Sequence, residues 1–371
     1  KCHYLHTPEI RKEDNEMELC MHSRPSFASD YMEGAHPEII RRLSEINRIP
    51  MPGYGSDDIC ESARNRIRNA CHTPNADVFF LIGGTQTNAT VIDAMLASYQ
   101  GVIAANTGHI SVHEAGAIEW GGHKVLPLPH TLGKLRAEDV ETYLSNWTQD
   151  GSRDHMVMPG MVYISHPTEY GTLYTADELR ALHRVCAAHH IPLYLDGARL
   201  AYALAAPENE LTLPLIAECC DAFYIGGTKC GTLLGEAVVL PRKNTIPHFF
   251  TIIKQHGALL AKGWLLGLQF ETLFTNHLYE TIGQPAIEAA NTIRHVLRES
   301  GYRLFFDAPT NQIFVILPNQ LLNPLAKEVS YSFWEKYDEA HTVIRLATSW
   351  STTKEETDCL CHVLKTLAIS D

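Results

Sequence analysis

The sequence predicts an α/β fold: a seven-stranded, mostly parallel sheet with helices on both faces, followed by a smaller C-terminal α+β domain. Two observations support this prediction. About seven apolar runs of strand length alternate with helical patterns between residues 78 and 240. After residue 247 the pattern becomes mainly helical and then mixed, which indicates a second unit. Ligands of mostly parallel sheets bind beyond the carboxyl ends of the strands, so the residues that follow each run are the candidates for a functional site.

The individual elements follow from local patterns. Pro37 near a first turn predicts a helix through Ile46, and a second helix is expected at 59–71. Thr175 and Glu178 form a capping box that starts a helix at 176–189. The predicted strands of the main sheet are 78–82, 101–106, 123–128, 161–166, 192–197, 222–227 and 236–240. The smaller unit has predicted strands at 311–317 and 343–348 and predicted helices at 325–337 and 354–367.

The length of the chain, 371 residues, fits a large domain with a smaller one. We expect an N-terminal arm and helix at 1–50, a large domain at 51–266 and a small domain at 267–371. The arm is expected to pack on the small domain.

Composition narrows the class of protein. The net charge is -13 and no dense basic block offsets it, so a nucleic-acid partner is not expected. No apolar run approaches the ~20 residues that span a membrane, and the first 20 residues lack the apolar core of a signal peptide. The ten cysteines are scattered without CxxC spacing, which favours free thiols in a reducing cytosol over a disulfide framework or a metal site. We therefore expect a cytoplasmic protein that needs no metal and binds no membrane.

Lys229 stands between two apolar strands, 222–225 and 236–240, in a Gly-rich stretch. Burial removes the solvation of an amine and lowers its pKa toward the range in which it attacks a carbonyl. A solvated lysine in a hairpin would give the same local pattern. The interpretation therefore depends on what the other strand ends carry.

Three other strand ends carry candidate groups. Residues 83–88 form a Gly-rich turn that opens a helix, and free N–H groups there favour a phosphate. Asp196 ends a buried strand, where it is either a helix cap or a ligand, and a carboxylate facing a pyridine nitrogen keeps that nitrogen protonated. Arg199 follows closely and could reach the phenolic oxygen of such a ring. His109 follows the strand at 101–106, where an imidazole could stack on a flat cofactor or handle protons.

The order of phosphate turn, stacking histidine, aspartate and lysine resembles that of fold type I pyridoxal-phosphate enzymes, the aspartate aminotransferase superfamily. More narrowly, the chain resembles the threonine aldolase and β-eliminating lyase family over roughly residues 27–350. The motifs that carry the resemblance are Ser29-Asp30, Gly53-Tyr54-Gly55 with Asp57, Gly84-Thr85-Gln86-Thr87-Asn88, His109 with Glu114, Asp196-Gly197-Ala198-Arg199, Thr228-Lys229 and Arg345-Leu346-Ala347-Thr348.

The resemblance implies roles in holding pyridoxal 5'-phosphate. Lys229 would form the Schiff base, His109 would stack on the ring, Asp196 would pair with the ring nitrogen and Arg199 with the phenolic oxygen. The phosphate would be bound by Gly84, Thr85 and Gln86. The family's phosphate-binding arginine is not evident, and Lys262 lies in the corresponding region.

The resemblance also implies roles toward the substrate. Ser29 and Arg345 would clamp the α-carboxylate, with Arg199 and His113 close by, and Tyr54 would approach from a neighbouring subunit. We expect a homodimer or homotetramer with shared active sites. The chain departs from the family pattern at Ser29-Asp30-Tyr31 and in the loop 165–171, which indicates a divergent branch.

The expected activity is cleavage of a β-hydroxy-α-amino acid, such as threonine or allo-threonine, to glycine and an aldehyde. The catalytic base is open among His109, His113 and an oriented water. Two alternatives remain: β-elimination or transamination of another amino acid, and a catalytically silent paralogue that serves as a binding protein. The retention of Lys229, Asp196 and Arg345 argues against the silent paralogue.

Overall fold

A computed structural model describes residues 24–368 of the chain. The first part of the predicted N-terminal arm, residues 1–23, lies outside the described residues. Among the residues described, no helix has the length and apolarity that crossing a membrane requires.

The main sheet has seven strands, as predicted. They are β1 (Asp77–Leu81), β2 (Gln100–Ala105), β3 (Val125–Leu128), β4 (Met158–Ser165), β5 (Leu193–Gly197), β6 (Ala222–Gly226) and β7 (Glu236–Leu240). Their order across the sheet is β1-β7-β6-β5-β4-β2-β3. Only β7 runs against its neighbours, β1 and β6, and the other pairs are parallel. Its first residue, Glu236, therefore lies at the edge of the sheet where the other strands end.

Helices cover both faces of this sheet. The helices of the first 220 residues are α1 (Pro37–Ile46), α2 (Asp58–Ala70), α3 (Gly84–Met95), α4 (His109–Val112), α5 (Ala117–Trp120), α6 (Ala137–Gln149), α7 (Ala176–Ala188), α8 (Leu200–Ala205) and α9 (Leu213–Cys219). A 3-10 turn, Arg153–His155, precedes β4. The capping box of Thr175 and Glu178 begins α7 as predicted.

Alternate residues of the strands face different helices. Phe223 and Ile225 of β6 pack in one core with α2, α7, α8, α9 and the later helix Trp264–Leu273. Ala222 and Tyr224 of the same strand pack in the other core with α3 and the later helix Phe249–Gln255. This period of two places Tyr224 on the side of the sheet that carries α3.

The chain between β7 and the second sheet forms several separate helices, whereas its sequence pattern after residue 247 looked like one continuous helical run. Its helices are α10 (Phe249–Gln255), α11 (Trp264–Leu273), α12 (Leu278–Thr281) and α13 (Gln284–Glu299). Leu268 of α11 packs in the core of the main sheet, whereas Ile293 of α13 packs against the second sheet.

The second sheet is antiparallel. The elements of this unit are β8 (Arg303–Phe306), β9 (Gln312–Pro318), α14 (Asn319–Glu328), β10 (Ser332–Lys336), β11 (His341–Ala347) and α15 (Lys354–Leu367). The strands lie in the order β10-β11-β9-β8. Phe27 is buried in this unit, and its N–H donates to the Ser330 carbonyl at 2.8 Å. This contact supports packing of the arm on the small domain, and the domain limits at residues 50 and 266 remain a prediction.

The helix predicted at 325–337 is wrong. The helix begins earlier, at Asn319, and ends at Glu328. Residues 332–336 instead form an edge strand, in which Ser332 pairs with Arg345. Phe333 and Trp334 fit a pleated surface better than a helix, and an open sheet edge next to β11 provides the hydrogen bonds.

We predict that Gly267→Ala destabilises the fold. A Cβ at Gly267 of α11 would lie 2.8 Å from the Cα of Cys60 on α2, so the two helices would have to move apart. Alanine gains about 1 kcal/mol of helix propensity, but overpacking of this kind costs about 1–3 kcal/mol or more. Urea unfolding should show a lower free energy of unfolding for Gly267→Ala. The control Gly151→Ala, where a Cβ has no neighbour within 4 Å, should have nearly the wild-type value. Equal stability of the two variants would contradict the tight contact.

Candidate active site

The strand ends converge on two adjoining cavities of about 560 and 280 Å³, here called the outer and inner cavities. His109 follows β2, Asp196 lies in β5, and Lys229 follows β6. Five residues line both cavities, and they are Tyr31, His109, Glu169, Arg199 and Lys229. The sheet thus brings together candidate groups that are far apart in the sequence.

Asp196 lies at the inner cavity and is almost fully buried. The hydroxyls of Tyr163 and Tyr224 donate to its carboxylate at 2.7 and 2.5 Å, and Asn88 Nδ2 donates at 3.0 Å. Burial alone would raise the pKa of Asp196, but nearby His109 and these hydrogen bonds outweigh it and hold the pKa below its usual value. The carboxylate stays ionised, which suits pairing with a protonated ring nitrogen.

The ring of His109 is fixed in orientation by Glu114. Glu114 Oε1 lies 2.7 Å from His109 Nδ1 and also accepts from Asn88 Nδ2 at 2.8 Å. The side chain of Glu114 is fully buried. His113 lies beside this pair, with 5.7 Å between the two imidazole centroids. Burial, and then the charges of His109 and Arg345, lower the pKa of His113, so its ring is neutral at physiological pH.

The Lys229 amine lies at the junction of the two cavities. Burial lowers its pKa, and the positive charge of Arg199 lowers it further. The backbone is held in place because the Tyr202 hydroxyl donates to the Lys229 carbonyl at 2.5 Å. An amine with a lowered pKa is a better nucleophile toward a carbonyl at neutral pH.

Arg199 makes a two-point ion pair with Asp30. Its Nε and Nη2 donate to the two Asp30 oxygens at 2.6 and 3.0 Å, and Asn311 Nδ2 also donates to this carboxylate at 2.9 Å. Burial would raise the pKa of Asp30, but Arg199 and Lys229 outweigh it and hold the pKa well below its usual range. Arg199 Nη1 donates no hydrogen bond to residues 24–368, so it is available to a ligand in the cavities.

Arg345 and Ser29 carry buried donors that have no partner within the described chain. Arg345 Nη1 and Nη2 donate to Gln312 Oε1 at 3.2 Å and to the Ala28 carbonyl at 3.1 Å. Arg345 Nε and Ser29 Oγ, by contrast, are buried without a hydrogen bond. Leaving such groups unpaired costs about 1–3 kcal/mol each, so this arrangement points to an anionic ligand beside the outer cavity.

The phosphate turn opens α3. No side chain caps this helix at Gly83, so the N–H groups of its first turn are open to a ligand. Gly84 and Thr85 line the inner cavity. Gln86 does not, although its Oε1 is buried without a partner.

Two predicted residues, Tyr54 and Lys262, lie away from both cavities of their own chain. Their loops are packed on each other, since the Tyr54 N–H donates to the Ala261 carbonyl at 3.0 Å. Lys262 is exposed, and Tyr54 is 43% exposed.

Sequence reasoning missed two buried carboxyl groups that line the cavities, Glu169 and Glu236. Glu169 follows β4, so the strand-end rule could have found it. Glu236 is the first residue of the antiparallel strand β7, so a rule that considers only the carboxyl ends of strands does not predict it. It accepts the Gly227 N–H at 2.9 Å, and burial raises its pKa to about 7.

These residues fit pyridoxal 5'-phosphate. The open helix terminus at Gly84 suits the phosphate, ionised Asp196 suits the ring nitrogen, and Lys229 suits the aldehyde carbon. The sequence profile of the beta-eliminating lyase family matches residues 27–308.

The chain belongs to the beta-eliminating lyase family.

It is a pyridoxal-phosphate-dependent lyase, which confirms the family and the cofactor predicted from the sequence. The structure of a threonine aldolase from Leishmania major is 41% identical, covers 93% of this chain and 100% of its own, and superposes with a TM-score of 0.90. A low-specificity L-threonine aldolase from Pseudomonas aeruginosa is 29% identical over 317 residues, 84% of this chain and 88% of the relative.

A more distant structure supports the fold prediction. Aspartate aminotransferase from Thermus thermophilus, solved with maleate, is 14% identical and covers 95% of this chain and 94% of its own, with a TM-score of 0.66. Together with the Leishmania structure, it confirms the fold type I architecture.

We predict that Glu236→Gln stabilises the apoprotein at alkaline pH. The pKa of Glu236 rises from 4.5 to about 7 on folding, so the folded chain binds more protons than the unfolded chain between these values. The contribution of this proton to the stability of the wild type is fully present below pH 4.5 and is lost as the pH rises through 7. Glutamine still accepts the Gly227 N–H and does not ionise. We therefore expect the free energy of unfolding of the variant to exceed that of the wild type by about 1–3 kcal/mol at pH 8, and this difference should shrink toward pH 5.

Thermal unfolding of the apoprotein at several pH values measures this difference. Exposed Glu288→Gln is the control and should show no such trend. The same gain for Glu236→Gln at pH 5 and pH 8 would contradict the assignment.

Proposed function

We propose that the chain cleaves a β-hydroxy-α-amino acid of the threonine type to glycine and an aldehyde. The observation that carries the proposal is the anion site of Arg345 and Ser29, which lies beside the cavity that holds the Lys229 amine. An amino acid offers a carboxylate to that site and an amino group to the lysine-bound cofactor. The likeness to threonine aldolases over most of the chain supports the reaction type.

Each residue then has a role in binding. Lys229 would hold the cofactor through its amine. Asp196 keeps the ring nitrogen protonated, and His109, fixed by Glu114, stacks on the ring. Arg199 Nη1 would bind the phenolic oxygen, and Gly84 and Thr85 would receive the phosphate.

The remaining groups act on the substrate. Arg345 and Ser29 bind the α-carboxylate and thereby fix the direction in which the Cα–Cβ bond points. The cofactor, when bound, supplies an electron sink for the pair left on Cα when that bond breaks. A base must take the β-hydroxyl proton, and a proton must return to Cα to complete glycine.

The test is a product assay with the holoenzyme over threonine, allo-threonine and phenylserine in both enantiomers. We expect aldehyde and glycine in equal amounts. Lys229→Ala should lose the visible absorbance of bound cofactor and reduce cleavage roughly 10⁴-fold or more, since it removes a group that bonds to the cofactor. Exposed Lys124→Ala serves as the control and should retain both.

Two results would contradict this proposal. One is a keto acid product in place of aldehyde and glycine, which would favour β-elimination or transamination. The other is unchanged cleavage by Lys229→Ala.

We also propose a homodimer, or a tetramer built from such dimers, in which Tyr54 and Lys262 reach the neighbour's cavities. Both are exposed, lie on loops in mutual contact and line neither cavity of their own chain. Lys262 would then add a positive charge at the neighbour's phosphate cradle. The unpaired cysteines among residues 24–368 support a reducing, cytoplasmic location.

Mixing of variant subunits tests the shared site. Lys229→Ala and Lys262→Ala should each be nearly inactive, because each lacks one part of the site. After mixing and reassembly at equal amounts, half of the dimers carry one intact site, so about a quarter of the wild-type activity should return. If mixing restores nothing while gel filtration shows that the subunits exchange, Lys262 acts within its own chain or not at all.

A further inference from the structure

The five residues that line both cavities surround the junction at which the Lys229 amine lies. A junction residue that acts as the base for the β-hydroxyl needs a free acceptor atom. His113, the other histidine considered for this role, lines only the outer cavity. Arg199 has no acceptor and is paired with Asp30. Lys229 is committed to the cofactor under the proposed function. Tyr31 is 58% exposed and carries a hydroxyl proton of its own.

The other two junction residues are His109 and Glu169. His109 Nδ1 is held by Glu114, and its ring face is the stacking surface for the cofactor. The His109 backbone N–H, however, donates to Glu169 Oε1 at 2.9 Å. The loop that positions the stacking ring therefore also positions the Glu169 carboxylate.

The Glu169 carboxylate has one tethered oxygen and one free oxygen. Ser165 Oγ donates to the same Oε1 at 2.7 Å, so this atom accepts two hydrogen bonds. Oε2 accepts none from residues 24–368. The tether fixes the carboxylate in orientation and leaves the second oxygen for a ligand.

The electrostatic environment of Glu169 also favours uptake of a proton. Burial raises its pKa above the usual value, the Ser165 hydrogen bond lowers it, and the negative charge of Asp196 raises it again. The net result is a carboxylate more basic than an exposed glutamate, as general bases near neutral pH require.

We propose that Glu169 is the catalytic base that removes the β-hydroxyl proton of the substrate, an inference that rests on the proposed aldol cleavage. The proton passes from the hydroxyl to Glu169 Oε2. The O–H electron pair forms the aldehyde C=O bond, and the Cα–Cβ pair remains on Cα, for which the bound cofactor would supply the electron sink. The proton on Glu169 returns to solvent after the aldehyde leaves, and Cα takes up a proton to give glycine.

Glu169→Gln tests this role with little change of shape. Glutamine Oε1 still accepts from Ser165 and from the His109 N–H, whereas its amide cannot take a proton. We expect kcat for threonine cleavage to fall about 10²–10⁴-fold with little change in KM. Exchange of the glycine α-proton with solvent needs no β-hydroxyl base, so its rate and the absorbance of bound cofactor should stay within about threefold of the wild type.

Two further variants sharpen the test. Glu169→Ala leaves space for a small carboxylate, so sodium formate should restore cleavage several-fold where sodium chloride of equal ionic strength does not. Glu288→Gln is the matched control: Glu288 is exposed and lines neither cavity, so this variant should cleave threonine at the wild-type rate.

The outcomes separate this inference from the proposed function. If the wild type cleaves threonine and Glu169→Gln cleaves it equally fast, Glu169 is not the base, whereas the proposed function stands. A parallel loss of cleavage, glycine exchange and cofactor absorbance in Glu169→Gln would assign Glu169 a positioning role and overturn the base. A wild-type holoenzyme that exchanges the glycine proton but cleaves no β-hydroxy amino acid would overturn the proposed function itself.

Discussion

The buried, ionised Asp196 carboxylate is the interaction on which the rest of the site depends. Removing a carboxylate from water is expensive unless hydrogen bonds replace its hydration. Tyr163 of β4, Tyr224 of β6 and Asn88 of α3 provide these bonds, so three separate elements are tied to one group. Any shift of one strand along its neighbour would leave the charge unsolvated.

The same network reaches the other side of the cofactor's expected position. Asn88 donates to both Asp196 and Glu114, and Glu114 holds the ring of His109. The group that would pair with the ring nitrogen and the group that would stack on the ring are therefore oriented by one amide. A loss at Asn88 would disturb both contacts at once, and this makes the site a single unit rather than a set of independent residues.

Positive charge is concentrated where an amino acid would place its carboxylate. Arg199 and Arg345 each contribute to the lowered pKa of His113, and Arg199 also lowers that of Lys229. Asp30 offsets only part of this charge, because its single negative charge, paired with Arg199, stands against two guanidinium groups. A bound carboxylate would supply the missing negative charge and raise both pKa values, so substrate binding would itself adjust the protonation of the groups around the reacting bond.

Much of the fold could be predicted because its signals are local. The strands of the main sheet, the capped helix α7 and the last helix α15 follow from periodicity and capping residues near each element. The helix predicted at 325–337 failed because residues 332–336 take their hydrogen bonds from β11, a partner that no local pattern reveals. Lys229, Asp196 and His109 were found because each stands at or near a strand end, whereas Tyr163 and Tyr224 are strand-interior residues whose roles appear only when the neighbouring strands are aligned.

Glu169 and Glu236, the two carboxyl groups that the sequence did not indicate, lie in different parts of the site. Glu169 lines both cavities, at the junction where the proposed cleavage would break the Cα–Cβ bond. Glu236 lines only the inner cavity, which Gly84 and Thr85 of α3 also line, because β7 runs opposite to its neighbours and begins where they end. A charged carboxylate there would repel a phosphate, and its raised pKa allows it to hold a proton instead. The one antiparallel strand of the main sheet thus places, in the cavity that the phosphate turn also lines, an acid that can hold a proton near neutral pH and then does not oppose the binding of a phosphate.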